Sequence, residues 1–408
     1  MRRRGEVVVT GLGLLTPAGS DPASIWKTLT KGQSLARKDP ALEGLPVDIA
    51  CSVPDFDPSA EFGPRLANRL DRFAHLGLAA ARRAVADAKL DVSQGPPQRI
   101  GVVLGVGSNS LRTYTREFVL LDQGRPGAVS PLALPRSIPS MIAGQIAIDV
   151  GARGPNFTVS SACASGTTAL GVARDILRGG ACDVVLAGGA EAGSRMTSAC
   201  FTQMRALSTR TGQPQLACRP FDCERDGFVL GEGAAVLVLE RLAHARKRGA
   251  RPRAVLRGYG ASADAYHPVA PDPGGAGAEQ AVRQALDDAG CKPGDIGHVS
   301  AHGTSTRLGD AAEALVLLKV FNGIPPAVTA GKSIIGHALG AAGAIEAALT
   351  VVALERQEVP PTANLTRQEP GRELDIVTGR PRQATFELAI STSFGFGGQN
   401  AVLVLGVA

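Results

Sequence analysis

The feature that most restricts the fold is an internal echo. Residues 231–239 read GEGAAVLVL and residues 397–405 read GGQNAVLVL, 166 positions apart. Each is a Gly-rich turn feeding an alternating apolar strand. A nine-residue match between Val/Leu strands carries little alone, but the order of elements around it repeats as well. A strand, Glu6 to Thr10, opens the first half and is ended by Gly11 and Gly13; Arg253 to Gly258 opens the second. Helical periodicity follows around Ile25 to Leu29 and strongly from Arg69 to Lys89 in the first half, and over Ala278 to Ala289 in the second. Further strands are predicted at Ile100 to Leu104, Asn156 to Val159, Asp183 to Ala187, His298 to Ala301 and Val328 to Ala330. Further helices are predicted at Ile138 to Val150, from near Cys163 to before Gly179, and at Gly340 to Leu354. Residues 105–135 hold many turn formers and read as loops and short helices. Strands alternating with helices specify an α/β class. The repetition predicts two similar α/β halves packed together, residues 1–252 and 253–408, joined at the Pro-containing stretch Gly249 to Arg253.

At 408 residues the chain is long enough for a large buried core. With 12 Phe, 3 Tyr and 1 Trp, that core must be filled mainly by small aliphatic side chains on closely packed Ala- and Gly-rich helices. The net charge of +6 is concentrated in Arg2 to Arg4 and Arg241 to Arg253. It fits a solvated surface or a docking face for an acidic partner. A nucleic-acid partner is not expected, because no recognition-helix pattern is present and few aromatics lie beside the basic residues. The seven Cys form no C-x-x-C pair, and the nearest two, Cys218 and Cys223, have no His cluster beside them, so no metal is expected. The odd Cys count, and a start that runs directly into a strand, lead to the expectation of a reducing, cytoplasmic setting. The longest apolar stretch, Ala338 to Leu354, is interrupted by Glu346 and reads as a buried helix, not a membrane span.

Four motifs carry chemistry. The first, TVSSACASGTTALG (158–171), is a strand, a tight turn of small residues and a helix, with Cys163 at the helix N-terminus. Unpaired amides and the helix dipole there favour a thiolate. The small neighbours Ala162, Ala164, Ser165 and Gly166 let a substrate approach, as in a nucleophile elbow built on sulfur. A buried structural Cys is the equal alternative for this motif by itself. The second, AHGTSTRLGDAAE (301–313), places His302 at a strand end, in a loop with Gly303, Thr304 and Thr306, with Asp310 and Glu313 opening a helix. The third, GKSIIGHALGAAG (331–343), sets Lys332 and His337 on a turn before an Ala/Gly-rich helix. The fourth, STSFGFGGQN (391–400), sets Phe394 and Phe396 in a Gly-rich turn, which reads either as a β-bulge or as a hinged aromatic gate. A cysteine hydrolase needs one His as base and an orienting partner, so a second His is surplus. Two imidazoles suit the decarboxylation of a malonyl thioester, whose enolate oxygen needs donors.

Together these motifs resemble the β-ketoacyl-acyl carrier protein synthases of the thiolase superfamily, most closely the synthase II type. The resemblance spans essentially the whole chain and includes RALSTRTGQPQLACRPFDCERDGFVLGEGAAVLVLE (205–240). It implies a duplicated five-layered αβαβα sandwich, the thiolase fold, and a dimer. It implies that Cys163 takes the acyl chain from acyl carrier protein, that His302 and His337 promote malonyl decarboxylation, and that Lys332 holds the His network. It further implies an oxyanion hole from the amides of Cys163 and Phe396, with Phe396 as gate. Thr304 and Thr306 would contact the pantetheine arm, Phe201 and Phe394 would be substrate-binding, and Glu313 would tie the His302 loop structurally. No cofactor is implied beyond the phosphopantetheine that the carrier supplies, and no membrane is involved.

One departure stands out. GVGSNSLRTY (105–114) occupies a stretch that is commonly Ile-containing in the family, and Ser108 falls where an Ile often lines the acyl pocket near the dimer interface. An unusual acyl chain, as in a polyketide pathway, is the expectation that follows. The chain then reads as a homodimeric synthase or as the active half of a type II polyketide heterodimer with a chain-length-factor subunit. Arg65, Arg69, Arg205 and Lys247 are candidates for the carrier docking face.

Overall fold

The apolar runs of the sequence become ten strands of one mixed sheet in the computed structural model, which describes residues 5–108 and 111–408. Arg2 to Arg4 and the middle of the 105–114 stretch, residues 109 and 110, lie outside the described residues. In chain order the strands are β1 (Val7–Leu15), β2 (Ile100–Gly105), β3 (Asn156–Val159), β4 (Val184–Glu191), β5 (Gly233–Arg241), β6 (Ala254–Ala263), β7 (Ile296–Ser300), β8 (Ala327–Thr329), β9 (Leu388–Gly395) and β10 (Gln399–Val407). Their order across the sheet is β8-β7-β9-β10-β6-β1-β5-β4-β2-β3. Read outwards from the centre, the two sides match. β1 and β6 meet through Val8↔Val255 and Val9↔Ala254. Beside each lies the strand carrying its copy of the echo, β5 or β10, paired antiparallel. β4 and β9 follow antiparallel, and the outer strands β2, β3 and β7, β8 are parallel.

The echo also buries identically. In β5, Val236 and Val238 face an outer core while Leu237 and Leu239 face an inner one; in β10, Val402 and Val404 face outwards while Leu403 and Leu405 face the same inner core. A strand that buries both faces must be apolar throughout, which is why the echo reads as a continuous run. Six of the following helices supply the covering layers, all but α2: α1 (Arg72–Asp87), α2 (Leu111–Asp122), α3 (Met141–Val150), α4 (Ser165–Arg178), α5 (Ala276–Ala289), α6 (Arg307–Val320) and α7 (Ala342–Arg356). α1 and α3 pack outside the first five strands through Leu76, Leu78, Ile142 and Ile146, and α5 and α6 outside the second five through Ala281, Ala285, Val316 and Leu317. α4 and α7 fill the middle, with Leu170, Leu177, Ile345 and Leu349 in the inner core. The result is an αβαβα sandwich of α/β class.

β1 runs through Gly11 and Gly13 to Leu15, five residues beyond the predicted end at Thr10. They are not turn residues. A Cβ on Gly11 or Gly13 would lie 2.4 Å from Ala84 O or 1.9 Å from Ala80 O of α1. Gly258 and Gly260 repeat the device on β6, where a Cβ would lie 2.2 Å from Ala285 O or 2.1 Å from Ala281 O of α5. Glycines at these contacts on two strands thus let two Ala-rich helices lie directly on the sheet. The 105–135 segment is also more regular than its turn formers suggest, since α2 occupies twelve residues of it. Among the described residues no helix is long and apolar enough to cross a membrane.

Candidate active site

The C-terminal ends of β3, β7, β8 and β9, with the middle helices, bring the motifs to one cleft. β3 leads into a tight turn in which Ala162 has φ +48°, an uncommon conformation for a residue with a side chain. Cys163 follows, and α4 begins two residues later at Ser165, after the N-cap residue Ala164. Cys163 is therefore presented just ahead of the helix. Its thiol is buried, and burial pushes it up to about 12; the Lys332 charge and the Phe396 amide pull it down, and the charge of Glu191 pushes it up. The helix N-terminus favours a thiolate, but desolvation of the charged form outweighs it here, and Cys163 rests as a thiol. The Phe396 amide lies close enough to the sulfur to pull the thiol down. The 394–398 turn lies against the elbow, since a Cβ on Gly395 would be 2.7 Å from Ser161 O and 3.1 Å from Cys163 N.

His302 sits two residues beyond β7. Its amide donates to Glu313 Oε1 at 2.8 Å and to Thr392 Oγ1 at 3.0 Å, and the Gly303 amide donates to Glu313 Oε2 at 2.7 Å. Glu313, buried in the first half of α6, so binds the backbone of the His302 loop. Thr306 caps α6 by accepting from the Gly309 amide, and its hydroxyl is 3.0 Å from that of Thr304. His337 follows Gly336 (φ +72°); its amide donates to Val229 O and its carbonyl accepts from the Gly231 amide. The two imidazoles stand edge to face, centroids 5.4 Å apart. Burial holds both well below the ordinary histidine range, with the Lys332 charge adding to it, so both are neutral. Lys332 Nζ contacts His302 Nδ1 at 3.3 Å and donates to His302 O at 2.7 Å. An ammonium has only protons to offer, so Nδ1 of His302 accepts and its ring proton is on Nε2.

The cleft encloses about 730 Å³ of empty space, part of it open to solvent. Cys163, His302, His337, Thr304, Thr306, Glu313, Phe201, Phe394 and Phe396 all line it. Lys332 lies behind the imidazoles, 1% exposed. Phe201 packs against Phe228 and Phe396, Phe228 edge-on against His337, and Phe394 against His302, so one wall is aromatic. The residues that the motifs did not single out include Phe228, Asp264 and Asn400, all in the cleft wall; Asn400 Nδ2 donates to Asp264 Oδ1 at 2.7 Å. Glu346 pairs with Lys332 and was legible only as the one charge in an apolar stretch.

Ser108 is not in this cleft. After β2 the backbone turns towards the end of β4, and Ser108 Oγ donates to Glu191 Oε1 at 2.7 Å. Its surroundings are a separate small cavity with Phe73, Leu111, Arg112 and Ser194. The sequence expectation places Ser108 at the acyl pocket near the subunit interface; within the single chain its hydroxyl is committed to the buried Glu191 carboxylate. Arg65, Arg69, Arg205 and Lys247 are all exposed. The seven cysteines are free thiols. Among the described residues no group of three His, Cys, Asp or Glu could hold a metal ion.

Comparison with known proteins agrees over the whole length. The β-ketoacyl synthase N-terminal domain matches residues 4–245, and the β-ketoacyl synthase C-terminal domain matches residues 253–366. The 3-oxoacyl-[acyl-carrier-protein] synthase 2 of Staphylococcus aureus (strain COL) is 40% identical, covering 99% of each chain. Among solved structures, the ishigamide ketosynthase/chain length factor superposes with a TM-score of 0.93 at 35% identity, covering 99% of this chain and 100% of that one. A ketosynthase bound to the hexaketide and complexed with its type II PKS acyl-carrier protein superposes with a TM-score of 0.91 at 30% identity, over 99% of this chain and 100% of that one. The chain has the thiolase fold and belongs to the β-ketoacyl synthase family.

Proposed function

We propose that the chain catalyses decarboxylative Claisen condensation, with Cys163 carrying the acyl group and His302 and His337 serving the malonyl step. The observation that carries this assignment is the convergence of a thiol and two neutral imidazoles on one cleft, with Phe396 lining the same cleft. In the first step the Cys163 sulfur attacks the carbonyl carbon of an acyl thioester on acyl carrier protein. The pantetheine sulfur leaves and takes the thiol proton. The amides of Cys163 and Phe396 are assigned as donors to the tetrahedral oxyanion. In the second step malonyl carrier loses carbon dioxide, and the electron pair of the broken bond becomes an enolate. Nε2–H of His302 and a ring N–H of His337 donate to its oxygen. Neutral donors suit this role, because the imidazoles must give hydrogen bonds at neutral pH without first gaining a proton. The enolate carbon attacks the Cys163 thioester, and the cysteine leaves as thiolate while the 3-oxoacyl chain departs on the carrier. Thr304 and Thr306, at the polar side of the cleft, are assigned to the pantetheine arm; Phe201, Phe394 and Phe396 are assigned to the acyl side and its gate; Lys332 and Glu313 position the His302 loop.

The matched strand orders support dividing the chain into similar halves at residues 1–252 and 253–408. The carrier brings its own phosphopantetheine, and the reaction needs no other cofactor. A cytoplasmic setting fits seven free thiols. Exposed apolar side chains on α2 and the segment after it, Phe118, Leu121, Leu132, Leu134 and Ile138, support a subunit interface. The partner is a second copy or a chain-length-factor subunit, as in the ketosynthase/chain length factor that this chain resembles at 35% identity. The function is tested by incubating the purified chain with acyl and malonyl carriers and identifying the carrier-bound product by mass. A 3-oxoacyl carrier is expected; release of free acid alone identifies a cysteine hydrolase instead.

A further inference from the structure

Glu191, the last residue of β4, is 1% exposed and takes no part in the steps above. Its carboxylate accepts four hydrogen bonds: from the amides of Gly107 (2.8 Å), Ser108 (3.1 Å) and Gly340 (3.1 Å), and from Ser108 Oγ (2.7 Å). We infer that Glu191 is a positioning residue for the Cys163 elbow, clamping together the two backbone segments that hold the first turn of α4. This rests on the reading of Cys163 as nucleophile.

The geometry is that of a vice. On one side, a Cβ on Gly105 would lie 2.3 Å from the carbonyl carbon of Ser165, so the end of β2 is in direct backbone contact with the start of α4. On the other, a Cβ on Gly166 would lie 2.7 Å from Ala344 N and 3.0 Å from Gly340 O, so the turn before α7 presses on the same helical turn. The two jaws meet at Gly107 and Gly340, where a Cβ on Gly340 would lie 2.1 Å from Gly107 N. Glu191 Oε2 joins them by accepting from both amides. With no side chain at these contacts, the hydrogen bonds to the carboxylate are what joins the Gly107 and Gly340 amides directly. A displacement of the elbow by even one ångström would degrade the attack geometry of a nucleophile.

Ser108 completes the clamp. Of the four donors, its hydroxyl is the one that depends on side-chain identity. A hydrocarbon side chain at this position would leave a buried carboxylate one donor short. Burial pushes Glu191 up to about 7, opposed by the Ser108, Gly107 and Gly340 donors. Asp71 and Arg112 line the same small cavity. Around the Cys163 thiol the charged groups are Lys332, Glu191 and Glu346, with His302 and His337 neutral. A positioning carboxylate so placed has two separable effects: it holds the elbow, and its charge opposes formation of the thiolate.

The test uses the full chain with Glu191→Gln and, separately, Ser108→Ala. Two readouts are taken: the pH profile of Cys163 alkylation by iodoacetamide, and the rate of acyl loading from acyl carrier. In Glu191→Gln the alkylation profile moves to lower pH, with a rate at about pH 9 raised roughly threefold because a repelling charge is gone. Acyl loading falls roughly tenfold because the elbow is no longer held. Ser108→Ala slows loading about two- to threefold and leaves the alkylation profile in place. A residue that merely stabilised the fold would lower the melting temperature and move neither readout. Unchanged loading and alkylation in a folded Glu191→Gln overturn the inference. If that variant does not fold, unchanged loading in Ser108→Ala overturns it. Alkylation is read whether or not an acyl group is ever accepted, so an error about the nucleophile shows separately, as wild-type protein that alkylates at Cys163 but never loads.

Discussion

Lys332 and Glu346 form an ion pair buried at 1% and 3% exposure directly behind His302. The same ammonium donates to His302 O at 2.7 Å and reaches Nδ1 at 3.3 Å. One charge therefore sets both the place and the tautomer of an imidazole, and Glu346 makes that charge tolerable in the interior. Removing one partner of a buried pair leaves an uncompensated charge, which costs about 3–5 kcal/mol. Lys332→Met is expected to lose stability on that order, and to slow malonyl decarboxylation by at least about a hundredfold. The double variant Lys332→Met/Glu346→Leu should recover most of the stability and none of the activity. Denaturant unfolding alongside carbon dioxide release separates the two effects. Recovery of activity in the double variant would refute the orienting role.

The two imidazoles are assigned to the second step only. His302→Ala and His337→Ala should each retain acyl loading on Cys163 and each lose decarboxylation by about 10²–10³. Loading followed by mass and decarboxylation followed by carbon dioxide release give the split. Equal losses in both steps would reassign the histidines to activation of the thiol.

His298, on β7, the strand that leads to His302, predicts a pH effect on stability. Both its ring nitrogens are buried without a partner, and burial lowers it from 6.5 to about 3. As pH falls below 6.5 the unfolded chain takes up a proton at His298 and the folded protein does not. The stability that the neutral ring contributes is thus present above that pH and declines below it, by up to about 1.4 kcal/mol per pH unit. Buried Glu191, Asp310 and Glu346, each pushed up to about 7, act in the opposite sense: their contribution is present at low pH and is lost as pH rises through about 7. The difference between wild type and His298→Leu isolates the histidine. The variant should gain relative stability between about pH 7 and pH 5, by roughly 2 kcal/mol. A difference independent of pH in denaturant unfolding would show that the ring is not held neutral.

The glycine pairs predict matched defects in the two halves. Gly13→Ala and Gly260→Ala each press a methyl group into a helix carbonyl at a calculated 1.9 Å and 2.1 Å. Each should cost about 1–3 kcal/mol or more through displacement of α1 or α5. Melting temperatures that drop in one variant and not the other would argue against equivalent packing of the halves.

Much of this architecture was legible in the sequence, for a physical reason. The echo marked β5 and β10 because a strand buried on both faces admits only apolar residues, and the two copies bury them alike. The motif order placed Cys163, His302 and the Lys332/His337 pair after three separate strands, where an α/β layer fold gathers its loops. The misreadings came from residues whose local and tertiary meanings differ. Gly11 and Gly13 look like turn formers, yet they are seats for α1. Cys163 looks like a helix-terminal thiolate, yet its turn and its burial keep the proton on. Ser108 shows in the sequence only as a change in a pocket wall; that its hydroxyl faces Glu191, 83 residues away, is a contact no local pattern spans. Glu346 shows only as a break in an apolar run until Lys332 is seen to face it.

The central claim is that Cys163 carries an acyl group into carbon–carbon bond formation. Its most direct test is a single turnover. Protein loaded from acyl carrier is freed of excess carrier, its mass is measured, malonyl carrier is added, and the masses of protein and carrier are read again. The account predicts one acyl adduct on wild-type protein and none on Cys163→Ala. After malonyl carrier is added, it predicts loss of that adduct with one equivalent of 3-oxoacyl carrier. An adduct that persists in Cys163→Ala, or one that leaves as free acid without appearing on the carrier, would contradict it.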